Sequence, residues 1–316
     1  MDLQKLRIIR HAASCEFNLT RAAQEMHTSQ PGLSRQIREL EEELGVELFI
    51  RIGKRLVGMT APGKELLEIA CRILAEVGNI QSIPDRFGKS GTGALRLAAD
   101  FSAFAPLAKA LQRFSKSYPK VRMFVRRQES AAVAAALLHD EADMGIAGEH
   151  LRNFRDIVVF PCARLQYKAL IPTAHPLAKT ARLSLEALAE YPLLTYETGT
   201  EERLLLDNAF AVAGIKPDIA LCADSPCLAD CAALGLGVAL VCDPAVGVSA
   251  EKRIFVRDVS RLFGTASLFL GVRRGKLFRD FELKFIKLLL PDLDPEVVRE
   301  VAQSREPASY VPGYAI

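Results

Sequence analysis

The 316-residue chain has no apolar run long enough to cross a membrane. Its longest uncharged apolar stretch, 231–242, contains Gly235 and Gly237 and is shorter than the roughly 20 residues that a spanning helix needs. The opening residues, MDLQKLRIIRHAAS, scatter charges and show no apolar core of the signal-peptide type. We therefore expect a cytoplasmic protein.

Cysteine and histidine are present without the spacing of a disulfide framework or a metal site. Seven cysteines are an odd number, and no small stapled domain accounts for them, which suits a reducing compartment. Cys222, Cys227, Cys231 and Cys242 lie in one short region, but not in the closely spaced pairs of a zinc ribbon or finger. We expect small core residues there, with a thiol-based redox or metal sensor as the alternative. The five histidines show no ligand spacing, so neither a metal nor a cofactor is expected.

Catalytic motifs are missing as well. The segment 88–90 resembles the end of a phosphate-binding loop, but Ile83 stands where the first glycine is required. The glycines at 235 and 237 lack the third glycine of a dinucleotide fingerprint, and 247–251 ends in the wrong residue for a nucleophile elbow. We do not expect an enzyme.

Residues 18–44 are the most informative stretch that is present, because they predict two short helices joined by a tight turn. In the second helix the apolar residues recur at steps of four, three and four, which predicts one buried face; they are Leu33, Ile37, Leu40 and Leu44. Amide, hydroxyl and guanidinium groups share the opposite face, on Gln30, Ser34, Arg35 and Arg38. Such groups read base edges and bind phosphate in DNA. The alternative is an ordinary amphipathic pair whose polar face only meets water.

The order of charges gives this helix a direction. Glu39 and the glutamates at 41–43 follow the polar stripe and would be repelled by phosphate. The N-terminal end, where the helix dipole is positive, can therefore face DNA. Ser29 is the expected N-cap, and Pro31 is tolerated in the first turn.

A basic hairpin follows the second helix. Arg51, Lys54 and Arg55 surround Gly53, and no acidic residue occurs between Glu47 and Glu65. A wing of this kind would lie along the phosphate backbone and bind independently of base sequence. The predicted DNA-contacting residues are Thr28, Ser29, Gln30, Pro31, Ser34, Arg35, Arg38, Arg51, Lys54 and Arg55.

A longer helix is predicted to begin at the TAPG segment, residues 60–63. Its apolar residues form a heptad seam of Leu66, Ala70, Ile73, Val77 and Ile80, a pattern that favours a partner helix. A dimer would place two reading heads on half-sites about one DNA turn apart. The alternative is packing of the seam within its own domain.

The whole chain resembles the LysR-type transcriptional regulators. The matches, in order and spacing, are Ala22-Ala23, TSQPGLS at 28–34, LEEELGVELF at 40–49, Arg51 and TAPG at 60–63. Within that family it is most similar to the CysB/Cbl branch of sulfur-assimilation regulators, through MDLQKLR at 1–7, 28–32, RIGK at 51–54 and YPLLTY at 191–196. The resemblance implies an α/β chain with a winged helix-turn-helix, a long dimerising linker helix and a two-lobed effector domain like the periplasmic binding proteins.

Beyond a flexible basic linker at 88–93, strands and helices alternate, which predicts a parallel sheet with covering helices. The predicted strands are 94–99, 121–126, 143–147, 167–171 and 193–196, and the predicted helices are 106–117, 131–139, 184–190 and 201–213. From the resemblance we divide the chain into a DNA-binding domain at 1–62, a linker helix at 63–90, an effector-binding domain at 91–300 and a tail at 301–316. Lobe I would comprise 91–162 and 266–300, and lobe II 163–265.

A ligand in an open α/β sheet binds beyond the carboxyl ends of the strands, against helix N-termini. The segments 99–103, 146–149, 195–203 and 223–225 meet that condition. The candidate effector-binding residues are Asp100, Phe101, Ser102, Ala147, Gly148, Thr198, Gly199, Thr200, Glu201 and Asp224.

The resemblance also implies a departure in this pocket. Sulfur regulators of the branch hold a small anion with hydroxyl-rich side chains, whereas Asp100, Ser102, Gly148 and Glu201 stand at those positions here. A carboxylate at these positions would repel an anion and occupy its binding position. We therefore expect a neutral, zwitterionic or cationic effector. In the alternative, Glu201 closes a capping box with Thr198 and Ser102 is an N-cap; for Asp100 no structural partner is evident.

The sequence thus predicts a transcriptional regulator that binds promoter DNA and a small-molecule effector, as a dimer that assembles further into a tetramer. RNA polymerase is a further possible partner. A sulfur-assimilation regulator that binds sulfate or acetylserine is the alternative, as is a cysteine-based redox or metal sensor.

Overall fold

A computed structural model describes residues 1–53, 55–84, 92–180, 182–242 and 252–304. Two compact units make up the chain, the first formed by 1–89 with 138–141 and the second by 90–137 with 142–316. Among the described residues, no helix combines the length and apolar character that a bilayer crossing requires. The predicted tail lies almost entirely outside the described residues, as does most of the predicted linker at 88–93.

The first unit has three helices, a two-stranded wing and a longer fourth helix. Its elements are α1 Leu3–Ser14, α2 Leu19–Glu25, α3 Gln30–Leu44, β1 Phe49–Ile52, β2 Arg55–Met59 and α4 Ala61–Gln81. Each helix begins at a side chain that accepts a hydrogen bond from a backbone N–H of the first turn, namely Asp2, Asn18, Ser29 and Thr60. Leu33, Ile37 and Leu40 are buried in the core of this unit. Leu44 is 41% exposed, so its predicted burial is wrong: α3 ends there, at Gly45 in the left-handed conformation.

Part of the predicted heptad seam packs within its own unit. Ala70 of α4 is buried against Leu6 of α1, and Ile73 contacts the same cluster. Ile80, at the far end of the seam, is 63% exposed. The alternative, in which the seam packs within its own domain, therefore holds for the N-terminal half of the seam. Pairing of the remainder with a partner helix stays a prediction.

The second unit is built on one mixed sheet. Its strands are β3 Gly93–Ala99, β4 Val121–Arg127, β5 Met144–Ala147, β6 Ile157–Pro172, β7 Leu193–Thr195, β8 Ile219–Cys222, β9 Val238–Cys242, β10 Ile254–Asp258 and β11 Thr265–Arg273. They follow the order β4-β3-β5-β11-β6-β9-β7-β8, with β10 paired to β6. The helices are α5 Phe104–Ser117, α6 Ser130–Leu138, α7 Leu185–Ala189, α8 Glu201–Val212, α9 Ser225–Ala233, α10 Ser260–Phe263, α11 Asp280–Leu289 and α12 Pro295–Gln303.

Two long strands join the two ends of this sheet. We use lobe I for the part around β3, β4 and β5, and lobe II for the part around β7, β8 and β9. Within each group the strands pair in parallel, but β6 and β11 pair antiparallel with each other and with β9 and β5. The expectation of an all-parallel sheet is therefore wrong. The prediction also missed the first half of β6, where Pro161 sits at an irregularity in the register.

A buried ionic cluster stabilises lobe I. The Asp143 carboxylate is 2.9 Å from the guanidinium of Arg96 and 3.3 Å from both Lys276 Nζ and the Arg279 guanidinium. Burial alone would raise the pKa of Asp143, but these cations outweigh it and hold that pKa below its usual range. Glu282, fully buried, accepts from the same Lys276 and Arg279, so each charge in the cluster has a partner.

Candidate DNA-binding and effector sites

The predicted DNA-reading stripe lies on an exposed face of α3. Ser29 Oγ accepts a hydrogen bond from Gly32 N at 3.2 Å, and Pro31 occupies the first turn. Thr28 and Gln30 are exposed beside them. The predicted Ser29 cap is thus confirmed, and the orientation of the helix toward DNA stays a prediction.

The two arginines of the stripe lie along the helix surface. Arg35 Nε donates to Glu39 Oε1 at 2.8 Å, and Arg38 donates to Ser34 Oγ at 3.4 Å. The Arg35 side chain is 82% exposed. An exposed pair of this spacing is worth only about 0.3–0.5 kcal/mol, whereas a bidentate contact to a base discriminates by about 1–3 kcal/mol. The ion pair with Glu39 is therefore too weak to compete with a base contact of that strength.

The wing is fastened to α3 by a glutamate that the sequence analysis treated only as a repelled charge. Glu41 Oε1 accepts from Leu48 N at 2.9 Å and from Phe49 N at 3.2 Å, and its Oε2 is 2.5 Å from the Arg51 guanidinium. Arg51 is consequently half-buried and engaged in this contact. Of the other wing cations, Arg55 is exposed and Lys54 lies outside the described residues.

In the effector unit, Asp100 has structural partners, contrary to expectation. Its Oδ1 accepts from Ser102 N and Ser102 Oγ, both at 3.1 Å, and its Oδ2 accepts from Ser130 Oγ at 2.6 Å. Ser102 is not a helix N-cap, because α5 begins at Phe104 after Ala103. The side chain of Phe101 lies outside the described residues. Asp100 and Ser102 thus form one hydrogen-bonded corner at the carboxyl end of β3.

Glu201 reaches from lobe II to lobe I. Its Oε2 accepts from Glu149 N at 2.8 Å and its Oε1 from His150 N at 2.7 Å. Gly148 makes room for it, since a Cβ there would lie 1.8 Å from Oε2. The predicted capping box is wrong, because Thr200, not Thr198, caps α8 by accepting from the backbone N–H of Arg203. The Glu201 carboxylate is free for this cross-lobe tie.

Glu202 is a site residue that the sequence analysis missed. It is only 9% exposed, and burial, together with the nearby Asp100 charge, raises its pKa to about 7. A hydrogen bond with Ser102 acts in the opposite direction. Three carboxyl groups, on Asp100, Glu201 and Glu202, therefore gather where the two lobes meet.

The remaining predicted effector residues are distributed around this cluster. Ala147 is buried at the end of β5, where it pairs with Phe269 of β11. Thr198 and Gly199 are exposed in the turn before α8. Asp224 caps α9 by accepting from Cys227 N at 3.1 Å, so its carboxylate already has a structural partner.

An open groove of about 750 Å³ lies beside the cross-lobe tie. Its walls come from both lobes and from the start of β11; they include Glu149, His150, Arg152, Glu201, Leu204 and Ser267. Of the ten predicted effector residues, Glu201 alone is among the lining residues. The tie thus forms one wall of a space large enough for a small molecule.

The cysteines divide into two groups. Cys242 is buried, as expected of a core residue, but Cys222 and Cys227 are exposed and Cys231 is half-buried. The core prediction is therefore wrong for Cys222 and Cys227. Across the described part of the chain, no group of three or more His, Cys, Asp and Glu side chains is arranged to hold a metal ion.

Family models match both units. The model of the bacterial regulatory helix-turn-helix protein, lysR family, matches residues 3–64, and the model of the LysR substrate binding domain matches residues 88–292. The chain belongs to the LysR family. It is a LysR-type transcriptional regulator with a DNA-binding helix-turn-helix and an effector-binding domain, which confirms the family and fold predicted from the sequence.

Relatives of this LysR-type chain cover nearly its whole length. It is 41% identical over 309 residues to the HTH-type transcriptional regulator cbl of Escherichia coli (strain K12), covering 97% of this chain and 98% of that protein. It is 35% identical over 312 residues to the HTH-type transcriptional regulator CysB of Burkholderia cenocepacia, covering 98% and 99%. These relatives are transcriptional regulators, and both belong to the predicted branch.

Solved structures share the fold. The cofactor-binding domain of the Cbl transcriptional regulator superposes with a TM-score of 0.63 at 33% identity, covering 68% of this LysR-type chain and 96% of that domain. Full-length CbnR complexed with target DNA superposes with a TM-score of 0.58 at 21% identity, covering 93% and 100%. The second likeness supports the arrangement of helices and strands only.

Proposed function

We propose that this LysR-type regulator reads promoter DNA with the N-terminal half of α3 and responds to a small molecule bound between its lobes. The observation that carries the first part is the polar stripe opposite the buried face of α3, in which Gln30, Arg35 and Arg38 are exposed and Ser34 is half-buried. Dimerisation through α4, assembly into a tetramer and contact with RNA polymerase belong to the same proposal. No catalytic step is part of it.

Within the DNA site, the side chains have different tasks. Arg35 is assigned to base reading, because it is exposed and held only by a weak surface pair. Lys54 and Arg55 are assigned to phosphate, where they strengthen binding to any sequence. Arg51 contributes more by holding the wing on α3 through Glu41.

The test compares binding to operator DNA and to random DNA of equal length at one fixed salt concentration. Arg35→Ala is expected to weaken operator binding by about 1–3 kcal/mol and to leave binding to random DNA nearly unchanged. Lys54→Ala is expected to weaken both evenly and to reduce the salt dependence. Arg113→Ala, an exposed arginine of the second unit, is the matched control. Equal losses on both DNAs for Arg35→Ala would contradict the base-reading assignment.

For the effector we propose a neutral, zwitterionic or cationic small molecule. Three carboxyl groups, on Asp100, Glu201 and Glu202, lie near one another where the lobes meet, and Glu201 also lines the groove. Two backbone N–H groups beside the groove, those of Glu149 and His150, already donate to Glu201. An anion that used these two N–H groups would have to displace that carboxylate.

The sulfur-regulator alternative rests on the resemblance to the CysB/Cbl branch. It predicts sulfate or acetylserine as the ligand, whereas the charge argument predicts a neutral, zwitterionic or cationic molecule. Thermal unfolding of the full chain is measured with sulfate, N-acetylserine, O-acetylserine, amines, amino acids and aromatic acids, because binding to the folded state raises the midpoint. A ligand at 100 times its Kd adds about 2.7 kcal/mol. A shift with sulfate or N-acetylserine would contradict the charge argument. A shift with O-acetylserine, a zwitterion, would agree with it and favour the sulfur branch.

A ligand can alter regulation only by binding one lobe arrangement more tightly than another. Glu201 and Gly148 belong to different lobes. A rearrangement of the lobes would therefore break the cross-lobe tie, whereas the arrangement described here keeps it. We therefore assign the regulatory equilibrium to the arrangement of the lobes around this tie.

A further inference from the structure

Two cysteine side chains lie together on one helix of lobe II. Cys227 and Cys231 are four residues apart on α9, one turn from each other. The thiol of Cys227 is exposed and that of Cys231 is half-buried, and the nearby Cys227 contributes to raising the pKa of Cys231. The opposite side of α9 is fixed on the sheet by Leu228, Ala229 and Ala232, all buried. The pair is thus held on a supported helix and remains open to solvent.

The geometry of the pair disfavours a direct disulfide. Side chains at this spacing on a helix have Cβ atoms about 5–6 Å apart, whereas a disulfide needs about 3.5–4.5 Å. Closing the bond would distort α9. A single atom placed between the two sulfurs requires no such distortion, because it lengthens the bridge by one bond.

We propose that Cys227 and Cys231 form a two-sulfur binding site for a soft, thiophilic metal or metalloid ion, with trivalent arsenic as the probe. Thiol ligands select soft ions over magnesium or calcium. Structural zinc usually needs four ligands, and the described residues offer no cluster of three or more metal-ligating side chains. A species satisfied by two protein sulfurs is therefore the one that fits.

The binding step is a condensation without a change of oxidation state. With hydrated phenylarsine oxide, two S–H bonds and two As–O bonds break, two As–S bonds form, and two waters leave. Burial raises the pKa of the Cys231 thiol, and the nearby Cys227 adds to this. A thiol kept protonated is a poor target for peroxide, but it can still condense, because its proton leaves with the water.

The experiment uses the native full chain with one equivalent of phenylarsine oxide and an excess of a monothiol, followed by intact mass spectrometry. We expect one phenylarsenic adduct that the monothiol does not remove and that a dithiol does. Cys227→Ser and Cys231→Ser should each lose it, with capture weakened at least about 100-fold because the second sulfur acts at high effective concentration. Cys222→Ser, an exposed cysteine outside α9, should keep it.

Three results would overturn the proposal: no stable adduct on the wild-type chain, an adduct that survives in Cys227→Ser or Cys231→Ser, or one that is lost in Cys222→Ser. Unchanged thermal midpoints of the serine variants would show that the helix remains folded. None of these results bears on the proposed function, because neither Cys227 nor Cys231 is among the groove-lining residues or the predicted DNA-contacting residues.

Discussion

Gly148→Ala is the sharpest test of the cross-lobe tie, because its effect should come almost entirely through one other residue. The backbone of Gly148, with φ −75° and ψ −158°, lies in the extended region that alanine also adopts. The added Cβ would lie 1.8 Å from Oε2 of Glu201 and 2.6 Å from its Cδ. The end of a flexible side chain can move away, so we expect Glu201 to leave its place.

The magnitude follows from the two hydrogen bonds that would be lost. Each joins a charged carboxylate to a backbone N–H, at 2.8 Å for Glu149 and 2.7 Å for His150. Hydrogen bonds to charged groups contribute about 1.5–3 kcal/mol each. Water can replace Glu201 at the exposed Glu149 amide, which lowers the sum. We expect a total loss of about 1–3 kcal/mol for Gly148→Ala, close to that for Glu201→Ala.

A double-mutant cycle isolates the coupling between the two residues. The urea midpoints of both single variants and of the double variant are followed by circular dichroism, since the chain has no tryptophan. The double variant should be no less stable than Glu201→Ala alone. Hydrogen exchange in a peptide covering 147–154 should become faster in all three variants. Glu190→Ala, an exposed carboxylate, is the control and should be neutral.

Two outcomes would refute this reasoning. Additive losses in the double variant would show that Gly148 and Glu201 act separately. A neutral Gly148→Ala beside a costly Glu201→Ala would show that a Cβ fits without displacing the carboxylate.

Further predictions concern buried groups. The pKa of Glu202 is raised from 4.5 to about 7, so stability should fall by about 3 kcal/mol as the pH rises from about 4.5 to about 7; Glu202→Gln should flatten this fall in thermal midpoints at pH 5 and pH 8. Gly63→Ala should cost about 1–3 kcal/mol or more in urea unfolding, because its Cβ would lie 2.0 Å from Leu48 O. Asp143→Ala should cost about 3–5 kcal/mol by the same assay, since it breaks the buried ion pairs that Asp143 forms with Lys276 and Arg279.

The parts of the fold that the sequence predicted are those with local signals. The steps of four, three and four along α3 place Leu33, Ile37 and Leu40 in the core whatever surrounds them. The N-cap at Ser29 and the helix end at Gly45 are likewise determined by residues close to them in the sequence. The burial of Leu44 was predicted wrongly because the apolar spacing continues to this residue, whereas the helix ends there.

The site contacts that the sequence missed join residues far apart in the chain. Glu201 and Glu149 are 52 residues apart, and no spacing rule relates them. The glycine at 148 carried a signal only in relation to Glu201, since it leaves the space that the carboxylate fills. Glu202 looked like an ordinary acidic residue in a first helical turn, and its burial depends on how lobe I packs against α8.

The cross-lobe tie also bears on how an effector can act. A contact worth about 1–3 kcal/mol shifts an equilibrium between lobe arrangements by about 5- to 150-fold before any ligand binds. An anion that took the Glu149 and His150 amides would first remove that contribution, so its own binding would be weakened by the same amount. A neutral or cationic ligand could occupy the neighbouring groove and leave the tie in place. Under the proposed function, we therefore expect the Glu201 side chain to influence both the resting arrangement of the lobes and the charge of the ligand that stabilises it.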